Sequence, residues 1–155
     1  MLRLARLADY GLVIAASLVD APEGKVKLEQ VAEKTQLPVP TVRKIMKLLV
    51  DGAVVRSERG VNGGYALSRP ARQISVAQVV QAVEGGVALT DCCREDNVCD
   101  VRHACTVHSN WLVINQTVNT LFERISLQDM TRHLSPGDLI RKVQSERLEL
   151  VTIEP

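Results

Sequence analysis

The chain has few aromatic residues and no long apolar run. Phe, Trp and Tyr make up 3% of its 155 residues, and because aromatic side chains are enriched in strands, their scarcity suits a helical protein. No apolar run is long enough to span a bilayer, and residues 1–6 lack the continuous apolar stretch of a signal peptide. We therefore expect a cytoplasmic protein, in which the four cysteines stay reduced and do not form a disulfide scaffold.

Catalytic patterns are also missing. The sequence contains no Cys-x-x-Cys, and no Ser/His/Asp set or carboxylate pair that its pattern brings together. The glycines at 60–64 are followed neither by Lys-Ser/Thr nor by a helix, which argues against a nucleotide-binding phosphate loop. His103 and His133 are isolated and are predicted to be surface residues. A thiol redox or metal-handling enzyme stays open as an alternative, but the sequence favours a protein that is not an enzyme and has no small-molecule substrate.

The net charge is only +1, but it is unevenly distributed. Residues 1–72 hold 12 Lys and Arg against 7 Asp and Glu, whereas residues 73–155 hold 7 against 11. A basic N-terminal half joined to an acidic C-terminal half suggests that the first half binds a polyanion.

Three helices are predicted in the basic half. Apolar periodicity predicts a helix over residues 3–19, a short helix around Leu28 to Ala32, and a third helix from Pro40 to about Val50. The third helix has an apolar stripe of Val42, Ile45, Met46 and Leu49. Its outward residues are Thr41, Arg43, Lys44 and Lys47. Two helices joined by a tight turn, the second with a basic face, are typical of a helix-turn-helix, although many solvated helices carry such a face.

A predicted hairpin follows this helix pair. Residues 53–57 and 65–67 read as strands, and the glycine-rich tip between them carries Arg59. A hairpin with a basic tip directly after a recognition helix is a wing. Arg56 and Arg59 are therefore candidates for contact with a DNA phosphate or a narrow minor groove.

Three cysteines have a regular spacing. Five residues separate Cys93 from Cys99 and Cys99 from Cys105, and His108 follows two residues after Cys105. We expect a helix from Cys105 onward, with Cys105 and His108 one turn apart on one face. Three interpretations compete: unrelated thiols, a closed Cys3His zinc site, and an iron–sulfur cluster. Cys92 lies outside the regular spacing and is expected not to be a ligand.

The apolar pattern sharpens after His108. Residues Val107, Trp111, Ile114, Val118, Leu121 and Ile125 recur in steps of four and three, as in a coiled-coil seam. This seam predicts a homodimer through residues 107–125, and the alternative is a helix packed on its own domain. Ser75 and Ser126 are predicted to cap further helices, and residues 138–146 are expected to be helical.

The predicted fold is mainly α, with four segments. Residues 1–84 form a winged helix-turn-helix DNA-binding domain with a two-stranded wing, and 85–108 form a cysteine loop. Residues 109–133 form a long dimerisation helix with a short capping helix, and 134–155 form a C-terminal tail.

These features resemble a bacterial family of winged-helix regulators that sense through an iron–sulfur cluster (IscR/NsrR-like). The resemblance covers roughly residues 1–133. It is carried by Leu7-x-Asp9-Tyr10, by the wing Arg59-Gly60-Val61-Asn62-Gly63-Gly64-Tyr65, and by the three cysteines with His108. The run Asn110–Asn115 is similar to regulators of the SUF iron–sulfur assembly operon.

The resemblance implies a function and a set of ligands. It implies a dimeric, DNA-binding transcriptional regulator, often a repressor, of iron–sulfur assembly genes, or alternatively a nitric-oxide or redox sensor. Cys93, Cys99 and Cys105 would be cluster ligands, with His108 as the fourth. In the nitric-oxide branch an Asp of the partner subunit takes that place, and Asp9 matches it here. A 2Fe–2S cluster is favoured over 4Fe–4S, with zinc as the alternative metal.

Overall fold

The computed structural model describes residues 5–21, 24–94, 99–101 and 104–144. Helices α1 (Arg6–Ser17), α2 (Leu28–Thr35) and α3 (Val39–Asp51) come first, followed by strands β1 (Val55–Glu58) and β2 (Gly64–Leu67). Helices α4 (Val76–Glu84), α5 (His108–Arg124), α6 (Leu127–Met130) and α7 (Pro136–Gln144) follow, with short 3₁₀ turns at Ala71–Gln73 and Asp91–Cys93. None of the helices in these ranges combines the length and apolar character that a membrane crossing requires.

The predicted apolar stripe of α3 forms the centre of the core. Val42, Ile45, Met46 and Leu49 are each 0% exposed, because their spacing places them on one side of the helix. Pro40 lies in the first turn, where its missing N–H costs no hydrogen bond. The sequence prediction of this helix and its buried face is confirmed.

The wing is a two-stranded antiparallel sheet in which Val55 pairs with Leu67 and Glu58 with Gly64. An isolated bridge between Val26 and Tyr65 ties the wing to the segment before α2. At the tip, a Cβ on Gly63 would lie 2.3 Å from the Glu58 carbonyl oxygen. The turn therefore requires glycine there. Three helices followed by this hairpin make the winged helix-turn-helix that the sequence predicts.

The core extends past residue 84, the predicted end of the DNA-binding domain. Ile125 and Leu127, at the start of α6, are buried in the same cluster as the core residues of α1, α3 and α4. Backbone hydrogen bonds hold them there, from Val76 N to the Ile125 carbonyl (2.8 Å) and from Leu127 N to the Ile74 carbonyl (2.7 Å). We call residues 5–84 with 125–130 the head, and residues 85–107 the cysteine segment.

Capping boxes begin α4 and α6 as predicted. The Ser75 hydroxyl accepts from Gln78 N (3.2 Å), and the Ser126 hydroxyl accepts from Asp129 N (3.1 Å). A second Ser–Asp pair, Ser135 and Asp138, begins α7 (Asp138 N to the Ser135 hydroxyl, 3.2 Å). The predicted tail helix is thus present as Pro136–Gln144, and the rest of its predicted range lies outside the described residues.

Candidate DNA-binding surface and metal centre

The predicted DNA-reading residues lie on the outer face of α3. Arg43, Lys44 and Lys47 are exposed and Thr41 is half-buried, on the side of the helix opposite the core stripe. Lys47 Nζ lies 2.9 Å from an Asp51 carboxylate oxygen, one turn later on the same helix. Because that ion pair is highly exposed, it is weak and leaves Lys47 able to turn toward a phosphate.

The wing arginines are also exposed. Arg56 lies on β1 and Arg59 at the tip, so both cations are presented on the same hairpin. Between them in sequence, Glu58 is paired with Lys25, and the hydrogen bond from the Lys25 ammonium lowers the pKa of the Glu58 carboxyl. Lys25 thereby neutralises the Glu58 carboxylate, and the positive charges of Arg56 and Arg59 stay available to a polyanion.

The cysteine segment is fastened along one face of α5. Asn119 Nδ2 donates to the Val87 carbonyl (3.2 Å), Asn115 Oδ1 accepts from Leu89 N (2.9 Å), and Cys93 Sγ donates to the Trp111 carbonyl (3.6 Å). Positions 111, 115 and 119 are spaced by one turn, so these contacts run in a line along the helix. Cys93 is consequently held next to the first turn of α5.

His108 occupies that same first turn. It is the first residue of α5 and half-buried. Its Nδ1 atom is buried and has no hydrogen-bond partner in the described structure. An unsatisfied buried nitrogen costs about 1–3 kcal/mol, and a metal bound to this atom would remove that cost. Two of the predicted ligands therefore lie at the N-terminal end of α5: His108 is its first residue, and Cys93 contacts the Trp111 carbonyl in its first turn.

The described residues do not form a complete metal site around His108. Cys99 and Cys105 are half-buried and Asp9 is exposed in the first turn of α1. Within the described ranges, no three His, Cys, Asp or Glu side chains are arranged to hold a metal ion. The expected start of the helix at Cys105 is wrong, because α5 begins at His108. Cys105 therefore lies before the helix and does not share a helical face with His108.

The donor chemistry nevertheless fits a soft or borderline metal. Three thiols and one imidazole are the ligand types that iron–sulfur clusters and zinc take, and all four cysteines are free. Cys105 also lies just before the N-terminus of α5, whose partial positive charge stabilises a thiolate. The residues that could hold the metal are thus Cys93, Cys99, Cys105 and His108.

Sequence reasoning missed the residues that position the site. Thr90 has its hydroxyl 3.1 Å from Cys92 Sγ and 3.2 Å from Cys93 Sγ, and Asn115 and Asn119 hold the backbone before it. The signal available was the spacing of Asn115 and Asn119, which lie four residues apart on the same helical face as Trp111. Nothing in the local sequence marks Thr90.

The six predicted seam residues differ in burial, and Trp111 and Val118 are half-buried. Ile125 is 7% exposed and belongs to the head core, and Leu121 packs against that core. Toward the other end, Val107 is 49% and Ile114 46% exposed. Leu112 and Val113 beside them are also exposed. The C-terminal end of the seam therefore packs within the chain, as the alternative interpretation expected, and the N-terminal end of α5 presents an apolar surface.

Comparisons with known proteins identify the family. The model of the Rrf2 family, described as "Iron-dependent Transcriptional regulator", matches residues 4–133. NMA1593 of Neisseria meningitidis, whose name describes an HTH-type transcriptional regulator, is 30% identical over 143 residues, which cover 90% of this chain and 96% of that protein. The HTH-type transcriptional regulator IscR of Xenorhabdus nematophila is 26% identical over 146 residues, covering 92% of this chain and 88% of that protein.

Two solved structures show the same fold. CymR (YrzC), the global cysteine regulator of B. subtilis, superposes with a TM-score of 0.68 at 23% identity, covering 87% of this chain and 100% of that chain. T. potens IscR superposes with a TM-score of 0.63 at 22% identity, covering 99% of this chain and 93% of that chain. With its winged helix-turn-helix and the match over residues 4–133, the chain belongs to the Rrf2 family of DNA-binding transcriptional regulators, and it is not an enzyme.

Proposed function

We propose that the chain is a homodimeric regulator whose affinity for duplex DNA is set by an iron–sulfur cluster on Cys93, Cys99, Cys105 and His108. The genes it controls are proposed to be those of iron–sulfur cluster assembly. Support comes from the iron-dependent description of the family, from similarity to proteins named IscR, and from the donor set. The observation that carries the proposal is the buried, unpartnered Nδ1 of His108, in the same helical turn that holds Cys93.

When bound, the cluster would supply a centre sensitive to oxidants, nitric oxide and iron supply. The protein's part is to convert occupancy into a change of shape. Cys99 and Cys105 have to approach Cys93 and His108, and this fixes the cysteine segment between α4 and α5. Helix α4 is joined to α1 by the Glu84 carboxylate, which accepts from Ala8 N (3.2 Å). If the DNA-bound and DNA-free arrangements of the protein bind the cluster with different free energies, the free energy of DNA binding changes by that difference.

The proposed dimer uses the exposed apolar end of α5. Leu112 is 42%, Val113 63% and Ile114 46% exposed, and a second copy of this helix would remove that apolar area from water. Changing Ile114 to Glu should give monomers in sedimentation, because a charge in an apolar seam has no partner. Val61, 93% exposed at the wing tip, provides the matched control, since Val61→Glu should stay dimeric. A dimeric Ile114→Glu variant would contradict this interface.

The proposed DNA contacts are Thr41, Arg43, Lys44 and Lys47 on α3, with Arg56 and Arg59 on the wing. Arg43, near the start of α3, is proposed to read a base, and Arg59 to contact phosphate or the minor groove. Arg59→Ala should weaken binding to specific and random duplexes alike and reduce the salt dependence. Arg141→Ala, an exposed arginine on α7, is the control. Unchanged binding to both duplexes by Arg59→Ala would remove the wing from the interface.

The cluster is tested by anaerobic purification, with iron, acid-labile sulfide and zinc measured alongside the visible spectrum. We expect a brown protein with iron and sulfide, whereas a colourless zinc protein would overturn the proposal. His108→Ala and Asp9→Ala are then compared separately by Mössbauer spectroscopy. His108→Ala should change the environment of one iron, and Asp9→Ala should leave it unchanged. The reverse result would make Asp9 of the partner subunit the fourth ligand.

A further inference from the structure

The hydroxyl of Thr90 lies between two adjacent thiols. Its oxygen is 3.1 Å from Cys92 Sγ and 3.2 Å from Cys93 Sγ, so both sulfurs are within hydrogen-bond reach of one O–H group. Cys92 is 8% exposed and buried, whereas Cys93 is half-buried and faces the first turn of α5. The two neighbouring cysteines therefore occupy different surroundings, with Thr90 as their shared partner.

The direction of these hydrogen bonds follows from which groups can donate. A hydroxyl carries one proton and two lone pairs, a thiol carries one proton, and a thiolate bound to iron can only accept. If Cys93 is a ligand, its sulfur can no longer donate to the Trp111 carbonyl, and in the contact with Thr90 the hydroxyl must give its proton to Cys93 Sγ. The Thr90 oxygen is then free to accept from the Cys92 thiol. The three side chains form a chain that runs from the buried Cys92 through Thr90 to the ligand sulfur.

We propose that Thr90, supported by Cys92, is the hydrogen-bond donor that sets the stability and reduction potential of a cluster held through Cys93. This inference rests on the proposed function, because it requires Cys93 to bind the cluster. Hydrogen bonds to the sulfurs are among the levers by which a protein sets the potential of an iron–sulfur cluster. Donation to the Cys93 sulfur stabilises its negative charge and favours the reduced cluster. Cys92 acts as a positioning residue, since its thiol orients the Thr90 hydroxyl without touching the metal.

The test compares Thr90→Val, which keeps the shape and removes the hydroxyl, with Thr90→Ser, which keeps the hydroxyl. Thr131→Val is the matched control, because the Thr131 hydroxyl donates to the Gln128 carbonyl (2.9 Å) in α6, outside the cysteine segment. Each full-length variant is purified anaerobically with its cluster. The reduction potential is measured by voltammetry, and cluster loss is followed by bleaching with an iron chelator. Thermal melting of the metal-free proteins checks that each variant folds.

We expect a more negative potential for Thr90→Val and bleaching about tenfold faster than in the parent, as for loss of an outer partner of a metal ligand. Thr90→Ser and Thr131→Val should match the parent. Cys92→Ala should also give a more negative potential and faster bleaching, but both changes should be smaller than in Thr90→Val. Cys92→Ser keeps a donor and should have the potential and bleaching rate of the parent.

Two results would overturn the inference while leaving the proposed function intact. One is a parental potential and bleaching rate in Thr90→Val. The other is a Thr90→Ser variant that behaves like Thr90→Val, because the hydroxyl would then not be the cause. A parent protein that contains no cluster would overturn both the inference and the proposed function, so the two failures are distinguishable from the iron and sulfide content alone.

Discussion

The head and the cysteine segment are held in place by different interactions. In the head, apolar side chains from α1, α3, α4 and α6 are fully buried, and burial of apolar area is the largest favourable term in folding. In the cysteine segment, Cys92 is the only buried side chain among the described residues. That segment depends instead on three hydrogen bonds to α5: Leu89 N donates to Asn115 Oδ1, Asn119 donates to the Val87 carbonyl, and Cys93 Sγ donates to the Trp111 carbonyl. A region with few buried apolar contacts opens at low free energy, so we expect the cysteine segment to be less stable than the head.

The largest expected effect is a difference between the head and the cysteine segment in how much a truncated side chain lowers the free energy of unfolding. Ile45 is 0% exposed, and Ile45→Ala should lower the free energy of unfolding of the metal-free protein by about 2–5 kcal/mol, through lost burial and a cavity. Cys99→Ala, the same kind of truncation in the cysteine segment, should change it by less than about 0.5 kcal/mol. Urea unfolding measures both. Similar losses for the two variants would mean that the segment contributes to the core after all.

A smaller effect should appear inside the cysteine segment alone. Asn115→Ala removes the acceptor of Leu89 N and should cost about 1 kcal/mol. Amide exchange should accelerate at residues 87–93 and stay unchanged in α3. Thr117→Ala, which removes an exposed side chain on the same helix, is the control. Faster exchange throughout the head in Asn115→Ala would show that the two regions open together.

The smallest expected effect is on the pH dependence of stability and involves Asp129 in α6. Burial would raise the pKa of Asp129, but hydrogen bonds from Ser126 and Lys142 outweigh it and lower the pKa. A carboxyl whose pKa is lower in the folded state stabilises the fold at neutral pH, and this contribution is lost as the pH falls through the folded pKa. Asp129→Asn should therefore unfold with a weaker pH dependence below about pH 4, by less than about 1 kcal/mol. An identical pH dependence of parent and variant would contradict this.

Sequence periodicity predicts the head well and the site only in part. The stripe of α3 and the caps Ser75 and Ser126 depend on local spacing, which one stretch of sequence displays. The start of α5 does not: Thr106 is a residue type that favours N-caps, yet the helix begins at His108 with Val107 in the N-cap position. The burial of Ile125 and the position of Thr90 depend on contacts between distant segments. Such contacts have no local pattern, so only the structure reveals them.

The burial of Ile125 and Leu127 in the head core has a consequence for the order of synthesis. The chain is made from its N-terminus, and domains fold as their residues emerge. All four thiols of residues 92–105 therefore leave the ribosome before the two side chains that complete the core. Once those side chains are in place, the cysteine segment is a loop closed at both ends rather than a free appendage. A nascent chain thus exposes its thiols to solution before the scaffold that restrains them is finished.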